Sequence, residues 1–216
     1  KKTTKKSFFS SSRNQPKRNS KNLSERDRIL IVCEGEKTEV DYFKDLKEDF
    51  RLPTVDIIGG RGRNNTTLVD FAVKEKKKYD YDEAWCVIDR DSFAVNVINK
   101  AIEKAKNEKI RLAVSNECFE LWYLLHFHFV NDGQGRDEYK KRLNRELKSL
   151  KIKYNKQSLY GVLTDKLENA IENAEKLVHF HQIKIKDTKQ TLLERYPGLK
   201  FCETKPFTSM HDLRSE

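Results

Sequence analysis

Short apolar runs alternating with segments of helical spacing constrain this chain more than any other feature. Ile29-Leu30-Ile31-Val32-Cys33 and Ala84-Trp85-Cys86-Val87-Ile88 are continuously apolar at strand length, the pattern of a strand buried on both faces. Thr54 to Ile58 and Arg111 to Ser115 read as two further strands. Between them, Val40, Phe43, Leu46 and Phe50 recur at helical spacing until Pro53 stops the helix. Thr66 is the expected cap of a second helix reaching about Tyr79. A third runs from about Ala94 to Asn107, with Val97, Ile98, Ile102 and Ala105 on one face. Phe119 to Phe127 makes a largely apolar fourth. This alternation predicts βαβ units, hence an α/β fold with a mainly parallel four-stranded sheet flanked by helices.

Beyond Phe129 the pattern changes. Asn131-Asp132-Gly133-Gln134-Gly135 is a loop, and Lys- and Glu-rich helices are expected over 136–150 and 165–183. Leu143, Leu147 and Leu150 mark one buried stripe; Leu167, Ala170, Ile171, Ala174 and Leu177 mark another. The expected organisation is a basic disordered arm over 1–27, an α/β domain over 28–130 and a helical C-terminal appendage over 131–216. The net charge of +10 is concentrated in the arm: residues 1–28 hold ten Lys and Arg against Glu25 and Asp27. Such an arm neutralises phosphates or simply solubilises the chain. No apolar run approaches the roughly 20 residues that span a bilayer, so no membrane association is expected. The four cysteines form no CxxC pair and three lie in or beside core runs, as expected of reduced thiols in a cytoplasmic protein.

Chemistry in an open parallel sheet gathers at the carboxyl ends of its strands. There the first strand is followed by Glu34, Glu36 and Glu39, and the third by Asp89 and Asp91. The second is followed by Arg61 and Arg63, and the fourth by Asn116, Glu117 and Glu120. Carboxylates from three strands therefore converge on one edge. Asp89 and Asp91, two apart in extended chain, point the same way and can face one cation. A hard cation such as Mg²⁺ or Mn²⁺ needs only one or two carboxylates. The plainer reading is that Asp91 caps the next helix while Asp89 pairs with a neighbouring cation. Gly35 permits close approach to the backbone after the strand. Arg61 and Arg63 suit phosphate, as does Lys37, whose ordinary alternative is an ion pair with Asp41. Gly35-Glu36-Lys37-Thr38 is no P-loop, since Glu36 intrudes and the first glycine is missing. His126 and His128, with His179, His181, Cys202 and His211, fit no standard zinc spacing, and His126 reads as a hydrogen-bonded core histidine.

Glu34-Gly35-x-x-Thr38-Glu39 and Ile88-Asp89-Arg90-Asp91 together resemble the Toprim fold of topoisomerases, bacterial primases and overcoming-lysogenization-defect nucleases. With SNECFELWYLLHF added, the chain more closely resembles the RloB-like family of phage-defence proteins, well over residues 28–130. The likeness continues weakly to Lys205-Pro206-Phe207-Thr208. Glu117 departs from the proline expected after Ser115-Asn116. The resemblance implies that Asp89 and Asp91 coordinate Mg²⁺ (or Mn²⁺) and that Glu34 serves in metal contact or acid/base work. Glu39 and Glu120 are additional catalytic candidates, and Asn116 joins Lys37, Arg61 and Arg63 as a candidate nucleic-acid contact. It further implies an ABC-type ATPase partner and a DNA or RNA substrate, tRNA included; a homodimer is a candidate assembly. The expected function is thus a metal-dependent nuclease acting as a defence effector. The rival is a non-catalytic nucleic-acid-binding or adaptor subunit, which would be indifferent to Asp89→Ala.

Overall fold

The computed structural model describes residues 28–90, 95–187 and 207–208. Asp91, Cys202, His211 and the basic arm lie outside them. Four parallel strands, β1 (Ile29–Cys33), β2 (Val55–Gly59), β3 (Glu83–Asp89) and β4 (Arg111–Asn116), form a sheet of order β2-β1-β3-β4. Helices α1 (Thr38–Phe50), α2 (Asn65–Tyr79) and α3 (Val95–Asn107) make the crossovers. This is a Rossmann-like α/β arrangement, as the strand and helix spacing predicts. One strand was not anticipated. β5 (Phe207–Thr208) pairs antiparallel with the end of β4, Thr208 opposite Ser115 and Phe207 opposite Asn116. Two residues are too few to carry an alternation signal.

Side-chain alternation divides the sheet into two buried faces. Leu30, Val32, Ala84, Cys86, Ile88 and Val114 pack against α2 and α3 through Leu68, Val69, Ala72 and Ile98. Ile29, Ile31, Cys33, Trp85, Val87 and Ala113 face the other way, toward α1 and the chain that follows β4. That chain comprises α4 (Glu120–Leu125), α5 (Arg136–Leu147), α6 (Tyr160–Leu163) and α7 (Leu167–Asp187). Its buried residues, among them Tyr139, Leu143, Leu163, Ala174 and Leu177, belong to the same apolar cluster as β1 and β3. The C-terminal helices therefore share this core, α5 and α7 by packing on α4 and α6 by packing on α1.

Local chemistry corrects two expectations. The cap of α2 is Asn64, whose side chain accepts from the Thr67 N–H at 3.0 Å, so the helix begins before Thr66. Leu150 is exposed: α5 stops at Leu147, and the 3₁₀ turn over Lys148–Leu150 carries Leu150 off the buried stripe.

Candidate metal and phosphate site

The strand order reverses between β1 and β3: the chain runs outward from β1 to β2, then returns past it to β3 and β4. Crossovers on opposite sides leave a crevice at the carboxyl ends of these two strands. Glu34 follows β1 and Asp89 ends β3, so the pair straddles it. The backbone welds them together. The Glu34 N–H donates to the Val87 carbonyl at 2.9 Å, and the Asp89 N–H donates to Glu34 Oε2 at 3.0 Å. Glu34 is partly exposed, whereas Asp89 is 6% exposed.

An open cleft of about 320 Å³ lies over this point, walled by Glu34, Glu39, Asp89, Glu120, Arg136 and Lys156, with Lys37 at its margin. Glu39 enters from the first turn of α1, and Gly35 makes room for it. A Cβ on Gly35 would fall 2.1 Å from Glu39 Oε2, so a side chain there would expel the carboxylate. Burial, and secondarily the charge of Glu120, raises the pKa of Glu39 above the usual carboxylate range. Glu120 accepts from the Tyr154 hydroxyl at 3.1 Å. Arg136, the first residue of α5, donates to Asp89 Oδ2 at 2.9 Å. Lys156 is held at a left-handed position, φ 58°, by the Thr38 hydroxyl, which donates to its carbonyl at 2.9 Å.

The structure thus brings Glu34, Asp89, Glu39, Glu120 and Lys37 to one cleft. It does not bring the other phosphate candidates there. Arg63 stacks over Phe71 at 4.0 Å and donates to the Gly60 carbonyl, and Arg61 lies 5.9 Å from the same ring. Asn116 is fully buried and accepts from Arg90 at 3.3 Å. Lys37 makes no ion pair with Asp41 among the described residues. His126 is buried with Nδ1 at 2.9 Å from the Trp122 carbonyl, the core histidine expected from its apolar setting. Arg136 and Lys156 were missed because each stands in a charge-rich segment far along the chain. Gly135 before Arg136, at the start of a helix, was the one faint cue.

Among the described residues no set of three or more His, Cys, Asp and Glu side chains is gathered tightly enough to hold a metal ion; Asp91 lies outside them. The donor chemistry nevertheless fits a hard divalent cation. All the acidic groups are oxygen donors, two carboxylates suffice, and the almost buried Asp89 already has a cation, the Arg136 guanidinium, against it.

A doubly covered parallel sheet with acidic groups at its switch point defines a Rossmann-like scaffold with a cleft lined by acidic and basic side chains. Within that class the chain is a member of the RloB-like family, whose model, described as RloB-like protein, matches residues 29–216. The match spans the α/β core and the C-terminal helices alike. No curated protein and no solved structure matches the chain. Among the described residues no helix is long and apolar enough to cross a membrane.

Proposed function

We propose that this protein is a divalent-cation-dependent nuclease that hydrolyses phosphodiesters of DNA or RNA, acting as the effector of an anti-phage system with an ATPase partner. The observation that carries the reading is the coupling of Glu34 to the Asp89 backbone across the β1/β3 switch point, inside a cleft that also holds Glu39, Arg136 and Lys156. The defence role and the ATPase partner rest on the resemblance to phage-defence proteins alone.

Asp89 and Glu34, with Asp91 as the resemblance implies, would hold Mg²⁺ or Mn²⁺, which would supply Lewis-acid stabilisation of the charge that develops on the phosphate. Glu34, oriented by the Asp89 N–H, accepts the proton of the attacking water. Glu39 is suited to carry a proton to the leaving oxygen, because its raised pKa keeps the protonated form accessible nearer neutral pH. Lys37, at the cleft margin, attracts the substrate backbone.

The test is cleavage of plasmid DNA, linear DNA and total tRNA with Mg²⁺, Mn²⁺ or EDTA, with and without an ABC-type ATPase of the kind the resemblance implies. Wild type is compared with Glu34→Gln and Asp89→Ala. Metal-dependent cutting that both substitutions abolish is the expected result. Cutting indifferent to both would discard the site, and no cutting under any condition would favour an adaptor role.

A further inference from the structure

Besides Lys37, the cations of the cleft come from an unexpected quarter. Neither Arg136 nor Lys156 belongs to the βαβ units: Arg136 opens α5, and Lys156 sits in the connection between α5 and α6. Both are held there by structure. α5 is fixed by Tyr139, Leu143 and Leu147, all fully buried, and Arg136 reaches from its first turn to the end of β3. The 151–159 connection is tied to its surroundings by several bonds: the Tyr154 N–H donates to Asn144, the Leu159 N–H to the Tyr123 hydroxyl and the Ser158 hydroxyl to Asp45, and just beyond it the Tyr160 hydroxyl donates to Asp49. Thr38 then fixes the carbonyl of Lys156 itself. A long side chain on so constrained a backbone is positioned, and this one is exposed at the cleft.

The Arg136–Asp89 pair is asymmetric. The Asp89 side chain is 8% exposed and that of Arg136 is 34% exposed. A carboxylate so deeply buried needs a positive partner, whereas a guanidinium at a cleft wall remains within reach of solutes. Asp89 is also the residue to which the nuclease reading gives the divalent ion, and two cations repel one another at a single carboxylate.

We infer that Arg136 and Lys156 are the phosphate clamp of this cleft, and that Arg136 competes with the divalent cation for Asp89. Without metal, Arg136 neutralises Asp89. When a cation takes that carboxylate, the guanidinium passes to the nucleic-acid phosphate, whose oxygens its planar fork matches. Arg136 contacts the substrate directly on this account, and α5 is what brings it to the site. The inference rests on the nuclease reading.

Two measurements on the full chain test it, neither relying on activity. The first is Mn²⁺ affinity by electron paramagnetic resonance without nucleic acid. The second is fluorescence anisotropy with labelled DNA and RNA oligonucleotides of one sequence, in Ca²⁺ across a salt series. Arg136→Gln should bind Mn²⁺ roughly tenfold more tightly, because a competing charge has gone, while binding oligonucleotide roughly tenfold more weakly. Arg136→Lys keeps the charge, so its Mn²⁺ affinity should stay near that of wild type while oligonucleotide binding falls for want of the fork. Lys156→Gln should weaken oligonucleotide binding and lower the salt slope by about one unit. The opposite signs at Arg136 are the signature, since misfolding would weaken both. Unchanged or weaker Mn²⁺ binding by Arg136→Gln would overturn the competition, and unaltered oligonucleotide binding by both Gln variants would overturn the clamp. Wild type that binds no Mn²⁺ would remove the metal site itself and this inference with it. The stronger of the DNA and RNA responses names the substrate class.

Discussion

His126 makes the stability of this protein pH-dependent in a calculable way. The imidazole is 1% exposed, donates from Nδ1 to the Trp122 carbonyl at 2.9 Å and packs edge-on against the Trp122 ring at 5.1 Å. Burial is the main cause that lowers its pKa from 6.5 to about 4, and the nearby Lys166 charge adds to it. The unfolded chain therefore binds a proton that the folded chain refuses between these values, and stability falls with pH across that window. The loss from this residue is roughly 1 kcal/mol at pH 5.5 and roughly 2–3 kcal/mol at pH 4.5, and it levels off at roughly 3 kcal/mol below pH 4. His126→Asn keeps a donor near the Nδ1 position but cannot titrate. Urea unfolding of both proteins from pH 7.5 to 4.5 isolates the term. The variant should be less stable at pH 7.5, because the smaller side chain leaves a void, and should close the gap by roughly 2–3 kcal/mol at pH 4.5. A wild-type-minus-variant difference that stays flat over this range would refute the reasoning.

Three further outcomes follow from the packing. Asn64→Ala removes the α2 cap and should cost about 1 kcal/mol in chemical denaturation. Gly60→Ala places a Cβ 2.9 Å from the Cys33 carbonyl oxygen and 2.4 Å from Leu68 Cδ1, so β1 or α2 must shift; a loss of about 1–3 kcal/mol is expected by the same assay. Cys33, Cys86 and Cys118 are buried and free, and burial raises all three thiol pKa values, that of Cys86 to about 12. Peptide mapping after treatment with a thiol reagent at pH 8 should find these three unlabelled in the native protein and labelled in urea.

The core strands were legible because burial on both faces leaves no polar alternation, and Ile29–Cys33 and Ala84–Ile88 then stand out as unbroken apolar runs. The acidic half of the cleft was legible for a related reason: Glu34 and Asp89 sit where apolar strands end, so their positions follow from the topology. Of the basic half only Lys37, three residues past Glu34, was. Arg61 and Arg63 occupy the expected strand-end loop, yet the Phe71 face, a turn or so into α2, holds Arg63 by cation–π contact. Arg136 and Lys156 reach the cleft only through tertiary packing of α5 and of the connection after it, and no local pattern encodes that. The cap of α2 was displaced for a simpler reason, since Asn64, Asn65, Thr66 and Thr67 are all competent to cap.

The shared core of the sheet and the C-terminal helices sets the order in which this protein comes into being. When β4 and α4 have left the ribosome, the apolar cluster to which Ile31, Trp85 and Val87 belong still lacks its members from Val130 to Leu177. At 5–20 residues per second, the stretch from α4 to Leu177 takes about 3–10 s to synthesise. Through that interval the nascent chain has an adhesive apolar flank, a natural client surface for a chaperone. At its start the chain also lacks Arg136 and Lys156, so the acidic groups are in hand before these cations. Translation itself delays the assembled site until Lys156 has been made.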